Sequence, residues 1–336
     1  MPPVIDVHHH YVPQSLVDRL RQDAPAGDRR LVSETISITL SEVLSDLERH
    51  WADMDQAGID QAVFHQCALN VFGTEVCRLM NDAGHAMSRR WPDRFIAAAH
   101  LAPQDGPDAV QELERAVEQL GFRVVALPTS TLGLPLDDPA MEPIWARLDA
   151  WRVPVILHPA LRPKGAETRY SLERSIAREA DIAAAVVRLI YAILPRWPHL
   201  RVVVPHSGGA FPYLKGRVAM FYEPSQGTTP AWLRQMAKTA QEQTQYQTTG
   251  ELEKALECLY FDCCGHGAWA PPLRFLGQVV GWDHVVFGTD YPLEAKNAAN
   301  LNEYRKLVSD LGLGPAEEAA VLGVTFKDLL GQAGRS

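Results

Sequence analysis

The sequence has no apolar run of about 18 residues, the minimum that a membrane-spanning helix needs. Its first residues, MPPVIDVHHHYVP, have neither the basic start nor the apolar stretch of a secretory signal peptide. Cysteine is scarce, with 5 residues in 336, and no C-x-x-C motif occurs. We therefore expect a cytoplasmic protein with free, buried thiols and no contact with a membrane.

Basic clusters and nucleotide-binding motifs are absent as well. The chain has 32 Lys and Arg against 41 Asp and Glu, a formal net charge of −9, without the basic patch that phosphate backbones require. No G-x-x-x-x-G-K-[ST], G-x-G-x-x-G or G-x-S-x-G motif follows an apolar run. These absences argue against a nucleic-acid partner, a nucleotide site and a serine hydrolase.

Short β-branched runs alternate with amphipathic stretches, such as residues 41–58 and 106–121, that are typical of crossover helices. The predicted strands are residues 4–9, 61–66, 94–101, 122–128, 153–159, 200–206, 258–264 and 284–290. About eight such units close a (β/α)8 barrel of the TIM type, so residues 1–336 are predicted to form one α/β domain. Residues 11–40 and 207–257 are predicted insertions after strands 1 and 6, at the C-terminal mouth where barrel enzymes build active sites.

Five polar side chains are found where predicted strands end. His8 and His10 are two residues apart on the first strand, so both face one side, whereas His9 is expected to pack against a helix on the other. The fifth, sixth and eighth strands end in His158, His206 and Asp290, respectively. Since barrel strands share one mouth, these residues predict a metal site whose imidazole and carboxylate donors suit zinc and its first-row neighbours.

Other polar residues near the strand ends allow two interpretations each. His266 follows the seventh strand and either lines a substrate pocket or has no such role. Asp262 either holds a ligand histidine by a hydrogen bond or is a buried carboxylate bonded to backbone. His65 and His100 have no partner pattern, although they lie near strand ends and could reach the mouth. His199 and His284 precede strands and are expected to be structural.

Six motifs along nearly the whole chain carry a resemblance to a known family. They are DVHHHYVP, MDQAGID, NDAGHAMSRRWPDRFIAAAHL, ILHPA, VVVPHSGGAFPYLKGR and WDHVVFGTDYP. The sequence resembles the amidohydrolase superfamily, and within it the group around aminocarboxymuconate semialdehyde decarboxylase and gamma-resorcylate decarboxylase.

The resemblance implies a set of roles for the candidate residues. One divalent metal per chain, most often zinc with manganese as the alternative, would be held by four ligands: His8, His10, His158 and Asp290. His206 would hydrogen-bond the metal-bound water or the substrate. Relatives with two metals bridge them with a lysine or glutamate after strand 4, and FRVVALPTS has neither. Arg217 matches an arginine that grips a substrate carboxylate in the neighbouring subunit, which implies a homodimer, or else it is a solvated helix charge.

The resemblance also favours one reaction. It is the non-oxidative decarboxylation of a small aromatic or unsaturated carboxylic acid by a metal-dependent carboxy-lyase, with protonated Asp290 or His206 delivering a proton to carbon. The same ligands could serve a metal-dependent hydrolase or hydratase acting on a lactone, an amide or an unsaturated acid. A barrel that only binds a ligand is less consistent with retention of all five metal-mouth residues.

Overall fold

A closed barrel of parallel strands forms the centre of the computed structural model, which describes residues 2–21, 30–32, 37–161, 167–223, 230–244 and 252–333. The strands are β1 (Ile5–His10), β2 (Arg30–Val32), β3 (Ser37–Thr39), β4 (Gln61–His65), β5 (Phe95–Ala97), β6 (Ala99–His100), β7 (Val125–Pro128), β8 (Ser130–Thr131), β9 (Leu134–Pro135), β10 (Val155–His158), β11 (Val202–Val204), β12 (Leu259–Asp262) and β13 (Val285–Val286). The helices are α1 (Gln14–Leu20), α2 (Leu47–Ala57), α3 (Thr74–Arg90), α4 (Pro107–Glu114), α5 (Glu142–Trp151), α6 (Arg178–Arg188), α7 (Phe211–Tyr222), α8 (Ala231–Thr244), α9 (Leu252–Leu256), α10 (Ala270–Val280), α11 (Ala298–Ser309), α12 (Pro315–Ala319) and α13 (Thr325–Gln332).

Pairing between neighbouring strands closes the barrel. One sheet runs β1-β4-β5 and the other β13-β12-β11-β10-β7-β6, with every pair parallel. β5 and β6 follow each other directly and together occupy one position. The barrel closes where Val7 N donates a hydrogen bond to Phe287 O at 2.9 Å and where His9 forms an isolated parallel β-bridge with Tyr291. All eight predicted runs are therefore confirmed as barrel strands, and the predicted (β/α)8 fold is confirmed.

Alternating side chains of the strands build two cores. One face of each strand fills the barrel interior with residues such as Val63, Ile156 and Val203, and Phe326 and Leu329 of α13 pack against these. The opposite face packs against the surrounding helices in a larger cluster. Because aliphatic side chains fill the interior, the polar residues that cluster at its mouth lie at strand ends.

The predicted insertion over residues 11–40 contains α1 and the antiparallel pair β2–β3. Leu16, Val17 and Leu31 form a separate small core there. The insertion over 207–257 contains α7, α8 and α9. Residues 22–29, 33–36, 224–229 and 245–251 of these segments lie outside the described residues.

One predicted helix begins later than its sequence suggests. Helix α2 starts at Leu47, not at Ser41, because residues Glu42–Ser45 form a 3-10 turn and the Asp46 side chain accepts a hydrogen bond from Arg49 N at 3.1 Å. Its predicted end is confirmed, since Gly58 adopts φ 65° there.

All five cysteines are free, and four of them are buried. Among the helices of the described residues, none combines the length and the apolar character needed to cross a bilayer.

Candidate active site

Four of the predicted side chains meet at the C-terminal mouth of the barrel. One ligand atom from each of His8, His10, His158 and Asp290 lies within 4.8 Å of the other three. His10 Nε2 is 2.8 Å from Asp290 Oδ1, and His8 Nε2 is 3.6 Å from the same oxygen. The predicted convergence of β1, β10 and the segment after β13 on one point is therefore present in the structure.

The unused nitrogens of these histidines fit a divalent metal. His8 Nδ1 lies 2.7 Å from Asp262 Oδ2, His158 Nδ1 lies 2.9 Å from Pro159 O, and His10 Nδ1 lies 3.3 Å from His65 O. In the neutral tautomer that carries its proton on Nδ1, each ring would present the lone pair of Nε2 to an ion. His8 Nε2 is buried, and no residue that the structure describes forms a hydrogen bond with it. Three such nitrogens and one carboxylate oxygen make a suitable donor set for a divalent ion.

A local irregularity of β1 turns His8 and His10 toward the mouth. The register between β1 and β4 shifts between Asp6 and His9, as at a β-bulge. Val7 lies in the interior aliphatic core, yet its neighbour His8 belongs to the cluster of candidate ligands at the mouth. Gly288 leaves the space that this needs, because a Cβ there would lie 2.9 Å from Asp262 Cβ and 3.1 Å from His8 Cβ.

His206 lies beside the four candidate ligands, with its ring centroid 6.0 Å from that of His8. It follows β11 at φ 52°, and its Nδ1 is 2.9 Å from Glu179 Oε1 of α6. Gly265 packs against it so closely that a Cβ there would lie 2.5 Å from His206 Cβ. Glu179 was not identified from the sequence, where it is only one acidic residue in the helix between the strands that end in His158 and His206.

Comparison with known proteins identifies the family. The family model described as amidohydrolase matches residues 5–325. The chain belongs to the amidohydrolase family. Within this family it is 26% identical over 177 residues to 2-amino-3-carboxymuconate-6-semialdehyde decarboxylase of Dictyostelium discoideum, an alignment that covers 52% of this chain and 49% of the relative.

Two further similarities agree with the group that the motifs indicated. The chain is 32% identical over 158 residues to gamma-resorcylate decarboxylase of Rhizobium radiobacter, which covers 43% of this chain and 48% of the relative. The chain thus spans about half the length of these curated relatives. A 5-carboxyvanillate decarboxylase from Novosphingobium aromaticivorans, solved with manganese and 4-hydroxy-3-methoxy-5-nitrobenzoic acid, has the same fold, with a TM-score of 0.78, 24% identity and coverage of 98% and 96%.

Charges around the amidohydrolase site favour a cation. Burial opposes charge on His8, but the hydrogen bond and charge of Asp262 prevail and raise the pKa of His8 to about 9. Burial would raise the pKa of Asp290, yet His10 and His8 hold it well below its usual range. Burial, His10 and His8 lower the pKa of His158, so that ring is neutral. Asp262 and Asp290 therefore remain negatively charged and can balance the charge of a divalent ion.

His9 and His284 lie outside the cluster of candidate ligands, and their contacts agree with the structural roles predicted for them. His9 Nε2 is 3.0 Å from Nδ1 of His50 on α2, so His9 packs against a helix as expected. His284 Nδ1 lies 2.8 Å from Leu259 O at the start of β12, which is a structural contact. Neither residue belongs to the metal-ligand cluster.

Neither of the two predicted substrate residues belongs to the cluster of candidate ligands that the described residues form. Arg217 is exposed on α7, with its guanidinium carbon 5.2 Å from the ring centre of Phe221. His266 is half-buried in the loop after β12, and Glu294 holds this loop by accepting hydrogen bonds from Gly265 N, at 2.7 Å, and Gly267 N. Their roles stay predictions.

Asp262→Asn is expected to weaken metal binding roughly 10–100-fold, as loss of an outer partner of a ligand histidine does. The variant keeps the shape of the side chain but removes the charge that orients His8. Chelator competition measures the affinity, with Asp60→Asn as control, because Asp60 bonds Val4 N at the opposite end of β1. Equal affinity of Asp262→Asn and the wild type would contradict the role.

Glu179→Gln is expected to change the pH dependence of the enzyme. Burial opposes charge on His206, but the hydrogen bond and charge of Glu179 raise the pKa of His206 above its usual value. If protonated His206 is needed, activity falls as pH rises through this pKa, so the variant should lose kcat at lower pH than the wild type. Glu173→Gln, which removes the carboxylate that lies 3.6 Å from Arg178, is the control. Identical kcat profiles would exclude this coupling.

Proposed function

We propose that the protein is a metal-dependent non-oxidative decarboxylase, a carbon–carbon lyase, of a small aromatic or unsaturated carboxylic acid. The observation that carries this proposal is the cluster of three histidines and Asp290, with His206 beside it, at the mouth of an amidohydrolase barrel. The alternative, a hydrolase or hydratase, would use the same ligands. The names of the relatives, which are decarboxylases, support the lyase.

The donors that would hold one divalent ion are Nε2 of His8, His10 and His158 and a carboxylate oxygen of Asp290. When bound, the ion supplies positive charge that stabilises negative charge developing on the substrate. The imidazole-rich donor set supports zinc, and the manganese in the structural relative supports manganese.

The reaction requires a residue of this chain to deliver a proton to the carbon that loses its carboxylate. Decarboxylation breaks the bond between carbon and the carboxylate, releases CO2 and leaves an electron pair on carbon, which then takes a proton. We assign the resting proton to His206, because Glu179 favours its protonated form, whereas Asp290 rests as a carboxylate. His206 Nδ1 is held by Glu179, so its Nε2 is the nitrogen free to face the substrate.

Three finer features complete the proposal. Residues 1–336 form one barrel domain, which the family match over 5–325 supports. The enzyme is a homodimer in which Arg217 binds a substrate carboxylate in the partner subunit, and the exposure of this side chain supports that role. His266 lines the substrate pocket, which its position in the loop beside His206 supports.

The test is CO2 release by protein of known metal content from ortho-hydroxybenzoates, anthranilates and carboxymuconate-type acids. We expect release from at least one class, with the remaining product one carbon shorter. Conversion of a lactone or an unsaturated acid without loss of carbon would instead establish the hydrolase or hydratase. Protein that takes up no metal on supplementation would contradict both reactions.

A further inference from the structure

A fourth histidine ring lies among the three ligand rings without belonging to the ligand set. His65 ends β4 and is the register partner of His10 on β1. Its ring centroid is 4.8 Å from that of His10, 5.2 Å from that of His8 and 5.9 Å from that of His158. The ligand rings are separated from one another by 4.9 to 5.3 Å. His65 is therefore nearly as close to the ligands as they are to each other.

The contacts of its two nitrogens are unequal. His65 Nδ1 is 3.8 Å from Cys67 Sγ, whereas Nε2 is buried and forms no hydrogen bond with any residue in the described ranges. The whole side chain is inaccessible to solvent, at 0% exposure. A buried polar nitrogen without a partner costs stability, so such an atom calls for a functional explanation. His50 shows the ordinary arrangement, with partners for both nitrogens.

His65 is not a further metal ligand by geometry. The side chains whose ligand atoms all lie within 4.8 Å of one another are His8, His10, His158 and Asp290, and His65 is not among them. It shares the inward face of β4 with Val63, two residues earlier, which lies in the barrel interior. The ring thus borders the space beside the metal ligands, where a substrate would lie.

We propose, on the basis of the proposed function, that His65 is a substrate-binding residue whose Nε2 donates a hydrogen bond to a substrate oxygen. The oxygen belongs either to the carboxylate or to a ring hydroxyl beside it. Burial raises the pKa of the Cys67 thiol, so this group keeps its proton and can donate toward Nδ1. A neutral ring that accepts at Nδ1 carries its proton at Nε2.

Two variants separate the hydrogen bond from the volume of the ring. His65→Phe keeps an aromatic ring without a nitrogen, and His65→Gln keeps an N–H donor. The probes are benzoate, which offers only a carboxylate, and 2-nitrophenol, which offers a phenolate, each titrated calorimetrically into metal-loaded protein. We expect His65→Phe to raise Kd at least about 10-fold for the probe whose oxygen is contacted, as loss of a hydrogen bond to a charged group does. His65→Gln should stay within about 3-fold of the wild type.

The control and a second measurement make the outcome decisive. His284→Gln, at the far end of the strands, should bind both probes as the wild type does. Unchanged Kd for both probes in His65→Phe would overturn the inference, as would a wild type that binds neither probe. Loss of metal from His65→Phe alone would show that His65 is a ligand and would also overturn it.

A nitrogen NMR measurement on the zinc-loaded wild type covers the case in which His65→Phe fails to fold. The Nε2 resonance of His65 should be that of a protonated nitrogen and should shift when the probe binds. An unprotonated or unresponsive Nε2 would contradict the inference. Because none of these measurements depends on CO2 release, absence of decarboxylation would refute the proposed reaction and leave the role of His65 to be decided by binding.

Discussion

His8→Ala should lose the divalent metal and, with it, CO2 release. Its Nε2 is a buried nitrogen for which the described residues provide no hydrogen-bond partner, and its Nδ1 is held by Asp262. The loss of affinity should exceed the roughly 10–100-fold that removal of an outer hydrogen-bond partner costs, because a ligand itself is removed. Metal content per chain and the rate of CO2 release, measured on the same preparation, check this prediction.

The matched control for His8→Ala is His199→Ala. His199 is exposed and precedes β11, far from the strand ends that carry the ligands. It should leave metal content and rate unchanged. A His8→Ala enzyme that keeps both its metal and its rate would show that the metal-ligand assignment is wrong.

His206→Ala should lower kcat roughly 10²–10⁴-fold while metal content stays normal. This separation is expected because His206 is not among the four side chains whose ligand atoms cluster. Its loss removes the group to which we assign the proton for carbon. Single-turnover CO2 release from metal-loaded protein measures the effect on the chemical step.

Two outcomes would argue against this role of His206. A variant that loses its metal would identify His206 as a ligand. A variant with unchanged kcat across the pH range would assign proton delivery to another group, of which Asp290 is the candidate at the site. Comparison with Glu179→Gln, which keeps the imidazole, separates the charge of the partner from the presence of the ring.

Much of the fold could be predicted because barrel strands have a local origin. Their β-branched residues favour extended backbone, and adjacent residues alternate between the interior and the helices. The strand-end positions of His8, His10, His158 and Asp290 could be read from the sequence, but the register shift in β1 that turns His8 and His10 toward the mouth could not. The predicted start of α2 was wrong because Ser41 and Asp46 can each cap a helix. The 3-10 turn between these two residues decides which of them does.

The sequence by itself determined the barrel, the ends of its strands and the strand-end residues that cluster at its mouth, since these depend on residue spacing along single strands. Only the tertiary structure decided what surrounds those residues. Asp262 reaches His8 across 254 residues of chain, and Glu179 reaches His206 from a neighbouring helix 27 residues away. His65 lies among the rings of the candidate ligands because β1 and β4 pair in one particular register. Such contacts arise from the packing of separate elements, which no periodicity within one element encodes.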